Sequence, residues 1–208
     1  MAGNNIFGKL ASDAIGISDI GRIIPSHQFN QIMGDDYIMH EDGETIFFAI
    51  KSKSDEYVFT NYGLIHVDGA NAVSKKRSII RYDFLENMVS EVKLETAGNV
   101  DLDVEIKFSM GEEYFSIDVQ KNDLEGLKDL YKSLIEISKQ QKLNNLVQND
   151  SREALTLGCQ TLNRANIQNF SAATLKEIVN YNYQWLKELR EVNSNKDFGY
   201  VFEKYINN

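Results

Sequence analysis

A single cysteine, Cys159, leaves this 208-residue chain without an internal disulfide, which fits a reducing compartment. With no basic or histidine neighbour, that thiol reads as a small helix residue rather than a reactive one. Positive charge is also in short supply: 22 Lys and Arg against 31 Asp and Glu give a formal net charge of −9. Phosphate recognition depends on clustered Lys and Arg, so neither nucleic acid nor an anionic membrane is expected as a primary partner. No apolar run approaches the roughly 20 residues needed to cross a bilayer. The opening stretch, MAGNNIFGKLASDAIGISDIG, lacks a basic segment followed by an unbroken apolar one and does not read as a secretory leader. A cytoplasmic protein is expected. Ile6, Phe7, Leu10, Ala14 and Ile17 lie near helical spacing, but with Lys9 as the one cation they read as docking onto protein rather than onto lipid.

The residues of familiar chemistries are missing as well. His27, His40 and His66 are dispersed, and no Cys or His pair has metal-ligand spacing. His66, between Ile65 and Val67, reads as a structural strand histidine. There is no G-x-S-x-G elbow, no H-E-x-x-H, no phosphate loop and no dinucleotide fingerprint. Neither an enzyme nor a cofactor is expected.

What the chain does contain is alternation. In the run Ser90 to Phe108, Leu102, Val104, Ile106 and Phe108 fall on one face of a period-2 strand, while Asp101, Asp103, Glu105 and Lys107 fall on the other. Before the turn at Gly98-Asn99, Val92, Leu94 and Thr96 oppose Glu91, Lys93 and Glu95 in the same way. Both arms of this antiparallel hairpin bury one side and present charge on the other. Further strands are predicted over Glu44 to Ser52, Tyr57 to Thr60, Gly63 to Asp68, Lys76 to Tyr82 and Glu113 to Val119. With Met88 to Thr96 and Asp101 to Ser109 they make seven, the pattern of an antiparallel sandwich or barrel. Turn residues at Asn61-Tyr62-Gly63, Asp68-Gly69-Ala70-Asn71 and Met110-Gly111 agree.

Three zones result. Residues 1–36 form a helix or loop lead-in around Pro25, with Ile20, Ile23, Ile24, Phe29, Ile32 and Met33 as an irregular apolar surface. Residues 37–141 hold the strands and one amphipathic helix, capped by Asn122 or Asp123 with Glu125 as capping acid. Its Leu124, Leu127, Leu130, Tyr131, Leu134 and Ile137 need something to cover, and a bent sheet leaves an end to be plugged. After a polar joint at Lys139–Lys142 and Asn144-Asn145, residues 142–208 read as three helical segments. They begin near Asp150, Ser171 and Asn195, and the last two are expected to pair as a hairpin. A chain ending at Gln141 is predicted to keep its sheet. Tyr181, Tyr183 and Trp185 on the tail read as packing, within or between subunits.

Taken together, YVFTNYGLIHVD at Tyr57 to Asp68, Lys75-Lys76 and VKLETAGNVDLDVEIK resemble the bacterial pleckstrin-homology-like family, over roughly residues 36–141. The resemblance implies an α+β, mainly β fold: a seven-stranded bent antiparallel sheet, a partly open barrel, capped by a helix. It also implies a ring-shaped homo-oligomer that the helical extension enlarges, and no assigned activity. On that footing Glu91, Lys93, Glu95, Asp101, Asp103, Glu105 and Lys107 form a candidate surface for a protein partner of unknown identity. The alternative is an anion or lipid headgroup bound at Lys51 and Lys53, in the first hairpin loop, and at Lys75, Lys76 and Arg77. Two lysines beside Asp55 and Glu56 make a poor phosphate cradle, and Arg81 extends the second basic group along a strand.

Overall fold

A computed structural model of the chain describes residues 20–69, 77–96, 103–164 and 171–206. The N-terminal amphipathic stretch, the Gly98-Asn99 turn, Asp101, Lys75 and Lys76 lie outside the described residues. Eight strands form two antiparallel sheets. The first joins β1 (Arg22–Ile23), β2 (Ile46–Lys51), β3 (Glu56–Thr60), β4 (Gly63–Asp68) and β5 (Ser78–Asp83) in that order. The second joins β6 (Val89–Glu95), β7 (Asp103–Met110) and β8 (Glu113–Gln120). The seven strands expected from alternation are all present, and β1 is an addition from the lead-in. The sheets are laced together at one side, where Gly21 pairs in parallel with Val119. Its N–H donates to the Asp118 carbonyl at 2.7 Å and its carbonyl accepts from Gln120 at 2.9 Å. A Cβ here would sit 2.7 Å from the Ile50 side chain and 3.0 Å from the Asp118 oxygen, so only glycine allows the approach. At the other side, β5 pairs only with β4 and β6 only with β7 among the described strands, so the barrel stays open.

The core lies between the sheets. Ile50, Phe59 and Leu64 from the first meet Ile106, Phe108 and Val119 from the second, all fully buried. Phe108 stacks on Phe115 at 5.0 Å and tilts against Phe59 at 5.9 Å. Such rings combine large apolar area with favourable edge and offset geometry. A second apolar layer covers the back of the first sheet. Ala49, Val58, Ile65 and Val67 there pack under Ile24, Ile32 and Ile38 from the lead-in, which winds as three 3₁₀ turns at Ser26–Gln31, Met33–Tyr37 and His40–Asp42. The lead-in is thus a structural layer of the domain.

Helix α1 (Leu124–Arg164) plugs the open end with Leu127, Leu130, Leu134 and Ile137, each fully buried. The carboxylate of Asp123 accepts the Ile23 N–H at 3.1 Å, tying β1 to the start of the helix, and Glu125 pairs with Lys128 at 2.7 Å instead of closing a capping box. The polar joint does not end the helix, which runs unbroken for 41 residues. Lys, Gln and Asn weaken a helix only slightly, and neither proline nor glycine interrupts Lys139–Asn145. Helix α2 (Ala172–Asn193) starts at Ser171, whose hydroxyl accepts the Thr174 N–H. The chain forms two compact units, residues 139–195 and the rest.

Helix α3 (Gly199–Ile206) belongs to the sheet unit, not to a hairpin with α2. The reason is chemical: Phe198, Val201 and Phe202 are all but fully buried in the main core. Phe202 stacks on Phe47 at 5.5 Å, and Phe198 meets Phe84 edge-on at 5.4 Å. Asn61 guides the returning chain. Its carbonyl accepts the Phe198 N–H at 2.8 Å, its amide donates to Asp197 at 3.0 Å, and its side-chain oxygen accepts the Thr45 N–H at 2.9 Å. A chain ending at Gln141 therefore loses part of the core, contrary to the expectation from sequence. Phe202→Ala should lower stability by about 3–5 kcal/mol in urea denaturation. An unchanged midpoint would show that α3 contributes nothing to the core.

Candidate interaction face on the second sheet

The outward side of β6 to β8 gathers most of the charged residues picked out by alternation. Gly111 sets the β7–β8 register from the first central position of a two-residue turn, with φ +60°. The register places Glu95, Glu105 and Asp118 in one row across three strands and Lys93, Lys107 and Ser116 in the next. Three acids abreast repel one another. Lys107 relieves this from the neighbouring row, its ammonium 2.9 Å from Glu95 and 2.8 Å from Glu105, while the Ser116 hydroxyl donates to Glu105. The hydrogen bonds from Lys107 and Ser116 outweigh slight burial and hold the Glu105 carboxyl below its ordinary range. The same carboxylates push the Lys107 ammonium up. Asp118 shifts the other way, raised by burial and then by the fields of Glu105 and Asp103 against the weaker pull of Lys107.

Not every predicted member joins the rows. Asp103 stands at the end of β7 opposite Gln120. Glu91 is the extra residue of a bulge between Ser90 and Lys93, with φ 53°, in the left-handed region that side chains rarely adopt. Ser116 and Asp118 were missed, although the outward positions of β8 follow the same period of two.

The basic residues are placed differently. Lys51 is 2.8 Å from the buried carboxylate of Glu56, which also accepts the Gly34 N–H at 2.9 Å. Lys53 is exposed in the following turn, and Arg77 donates to the Ser54 carbonyl at 3.1 Å. His66 is 3.2 Å from Asp55 and stacks on Tyr57 at 4.5 Å, a structural placement. Arg81 lies outside any anion patch. Its guanidinium holds both oxygens of Glu44, at 2.8 and 3.0 Å, and its Nε donates to Asp83 at 2.7 Å.

Glu44 is 1% exposed and was not found from sequence, where a lone acid before a strand carries no signal. It also accepts from the Thr60 hydroxyl at 2.6 Å and the Met39 N–H at 2.9 Å. Thr60 in turn accepts the Tyr62 and Gly63 N–H groups, each at 3.1 Å, and so fixes the turn before β4. The Thr-Asn pair in VFTNYG thus has two physical duties: Thr60 anchors a buried carboxylate, and Asn61 receives the C-terminal helix.

Residues 14–138 match the family described as bacterial PH domain, and residues 149–208 match the YvbH-like oligomerisation region. The chain belongs to the bacterial PH domain family. It is 48% identical over 204 residues to the uncharacterized protein YvbH of Bacillus subtilis, covering 98% of this chain and all of that one. It is similar to the crystal structure of a PH domain containing bacterial protein from Exiguobacterium sibiricum, with TM-score 0.83 and 41% identity over 90% of this chain and 100% of that one. The fold implied by the strings around Tyr57 and Ser90 is therefore shown: antiparallel sheets that do not close into a barrel, with helices after them. Neither family description names a reaction. No helix among the described residues is long and apolar enough to cross a membrane.

Burial raises the Glu44 carboxyl, but bonds from Arg81, Thr60 and Met39 outweigh it and hold the group below its ordinary value of 4.5. A carboxyl lowered in the folded state contributes stability that is full at neutral pH and is lost as pH falls from about 4.5 through the folded value. Glu44→Gln leaves Arg81 without its main partner and should cost about 3 kcal/mol at pH 7, since removing one side of a buried pair strands the other. The loss should shrink in denaturation series carried to pH 3. Equal losses at both pH values would mean that Glu44 acts through packing alone.

Proposed function

We propose that this chain is a non-enzymatic interaction scaffold of the cytoplasm. Its PH-like units assemble into a cyclic homo-oligomer, and the polar face of β6 to β8 receives a protein partner. The observation that carries this reading is the open side of the barrel. Strand β5 has Ile79 and Ile80 each 38% exposed, beside an edge that no described strand pairs. Unpaired edge N–H and C=O groups favour pairing with another chain, and a head-to-tail contact that closes on itself makes a ring. The match to an oligomerisation region at residues 149–208 supports self-association. In a ring the rows around Lys107 would recur at every subunit, turning one modest charged face into a multivalent one.

Light scattering should give a mass several times the 23.8 kDa of the chain, and a monomer at micromolar concentration would refute assembly. Charge reversal by Lys93→Glu with Asp103→Lys should keep the fold and that mass while abolishing capture of a partner that the unaltered protein retains. Capture by both forms alike would remove the face from the proposal. Salt-sensitive sedimentation with anionic vesicles, lost on charge reversal at Lys75 and Lys76, would replace the protein partner with a lipid headgroup.

A further inference from the structure

At the end of the first sheet away from the Lys51 loop, the turns after β3 and β5 enclose a cavity of about 240 Å³ with Met39 and Asp42 of the lead-in and Lys196 before α3. All of it lies within the sheet unit. The Tyr62 hydroxyl donates to the Asp42 carbonyl at 2.8 Å, which fixes the ring. The Tyr62 carbonyl accepts the Phe84 N–H at 2.8 Å, which ties the turn carrying Leu85 and Glu86 to the same residue. Met39 is fixed by its N–H bond to Glu44. The cavity is therefore formed by the fold itself. Tyr62, Met39 and Leu85 supply apolar walls, the last two 48% and 56% exposed. Sites for drug-sized molecules begin at roughly 300 Å³, so this one suits a single extended side chain or a small chain-like molecule.

Its charge is one-sided. Arg81 lines the cavity, but its guanidinium is bonded to Glu44 and Asp83 and has little left to offer an anion. Asp42 and Glu86 are exposed and take part in no ion pair among the described residues. With Glu44 behind Arg81, four carboxylates face two cations, Arg81 and Lys196. An anion there meets more repulsion than attraction, and a cation the reverse.

The second of those cations indicates which ligand fits. Lys196 is exposed, is in no ion pair among the described residues, and holds its ammonium over the Tyr62 ring, 5.1 Å from the centroid. A ring face attracts an ammonium through its quadrupole, but only weakly where solvent reaches it. Lys196 also stands in the non-helical stretch between α2 and α3, so its side chain can leave the ring without disturbing either helix. We infer that this cavity binds a primary ammonium carried on an unbranched aliphatic chain, in the place Lys196 holds over Tyr62. Asp42 and Glu86 offset the charge, and Met39 and Leu85 cover the methylenes. A lysine side chain of another protein and a free alkylamine both have this chemistry.

The test is saturation-transfer NMR of small probes with the full chain at pH 7, where pentylamine is protonated. Pentylamine should bind with a dissociation constant of about a millimolar. Pentanol and pentanoate, of the same length, should bind at least about tenfold more weakly. Lys196→Met withdraws the resident ammonium and should tighten pentylamine binding at least about threefold, whereas Glu86→Lys should weaken it about fivefold. Both residues are exposed, so neither change reaches the core. The Lys196 variant is decisive, because a site for anions would lose affinity with that lysine. Nα-acetyl-lysine methylamide distinguishes the two sources: binding within about threefold of pentylamine assigns the site to a lysine of another protein, and weaker binding assigns it to a free alkylamine. No saturation transfer to pentylamine, or equal binding of pentanol or pentanoate, would overturn the inference. Pentylamine binding that Lys196→Met weakens or leaves unchanged would overturn it as well.

Discussion

Closure on one side only is the constraint on which the rest of this domain depends. Gly21 stitches the two sheets through main-chain bonds to Asp118 and Gln120, and among the described strands β5 and β6 do not pair with each other. A sandwich held along one seam splays at the other, so side chains rather than hydrogen bonds must keep its interior dry. Three apolar contributions do this: the Phe108 and Phe115 stack between the sheets, the leucine face of α1, and the aromatic wedge of Phe198 and Phe202. The lead-in adds a layer behind β2 to β4. Its burial of Ala49, Val58 and Ile65 leaves β2 to β4 covered on both sides, while the second sheet keeps one side wet.

Much of this was legible. Period-2 alternation located seven strands within a residue or two, because a half-buried sheet writes its two sides directly into the sequence. The apolar positions of α1 were readable for the same reason. The failures share a cause, which is that they depend on distant partners. Phe198, Val201 and Phe202 have helical spacing, but spacing does not say which surface they cover, and the nearest helix was the natural guess. The strings FFAI and VF in β2 and β3 are nearly continuous apolar runs, a sign of burial on both faces, and they were the available clue that the lead-in packs behind them. The polar joint after Ser138 misled because loops are usually polar; without a helix-breaking residue, polarity alone ends nothing.

The candidate face was legible as a list and not as a geometry. Alternation supplied Lys93, Glu95, Glu105 and Lys107, but only the register reveals that Lys107 stands between two acids, or that a bulge removes Glu91 from the rows. Arg81 shows the converse. In sequence it belongs to a basic group with Lys75, Lys76 and Arg77, and in the fold it is held by Glu44 and Asp83. Burying such a pair seldom adds net stability, but leaving either partner alone is costly.

The return of α3 to the sheets has a consequence for how the protein is made. Strands β1 to β8 and most of the buried face of α1 leave the ribosome before the helical unit, yet their interior is finished only when Phe198 and Phe202 arrive after it. Until then the aromatic wall at Phe47 and Phe84 is uncovered, and the nascent domain carries an adhesive patch. Closing it requires one long loop to be drawn shut, a slow step by the standards of local contacts. The order of synthesis thus makes the helical unit available for contact with other chains before the domain that precedes it is complete.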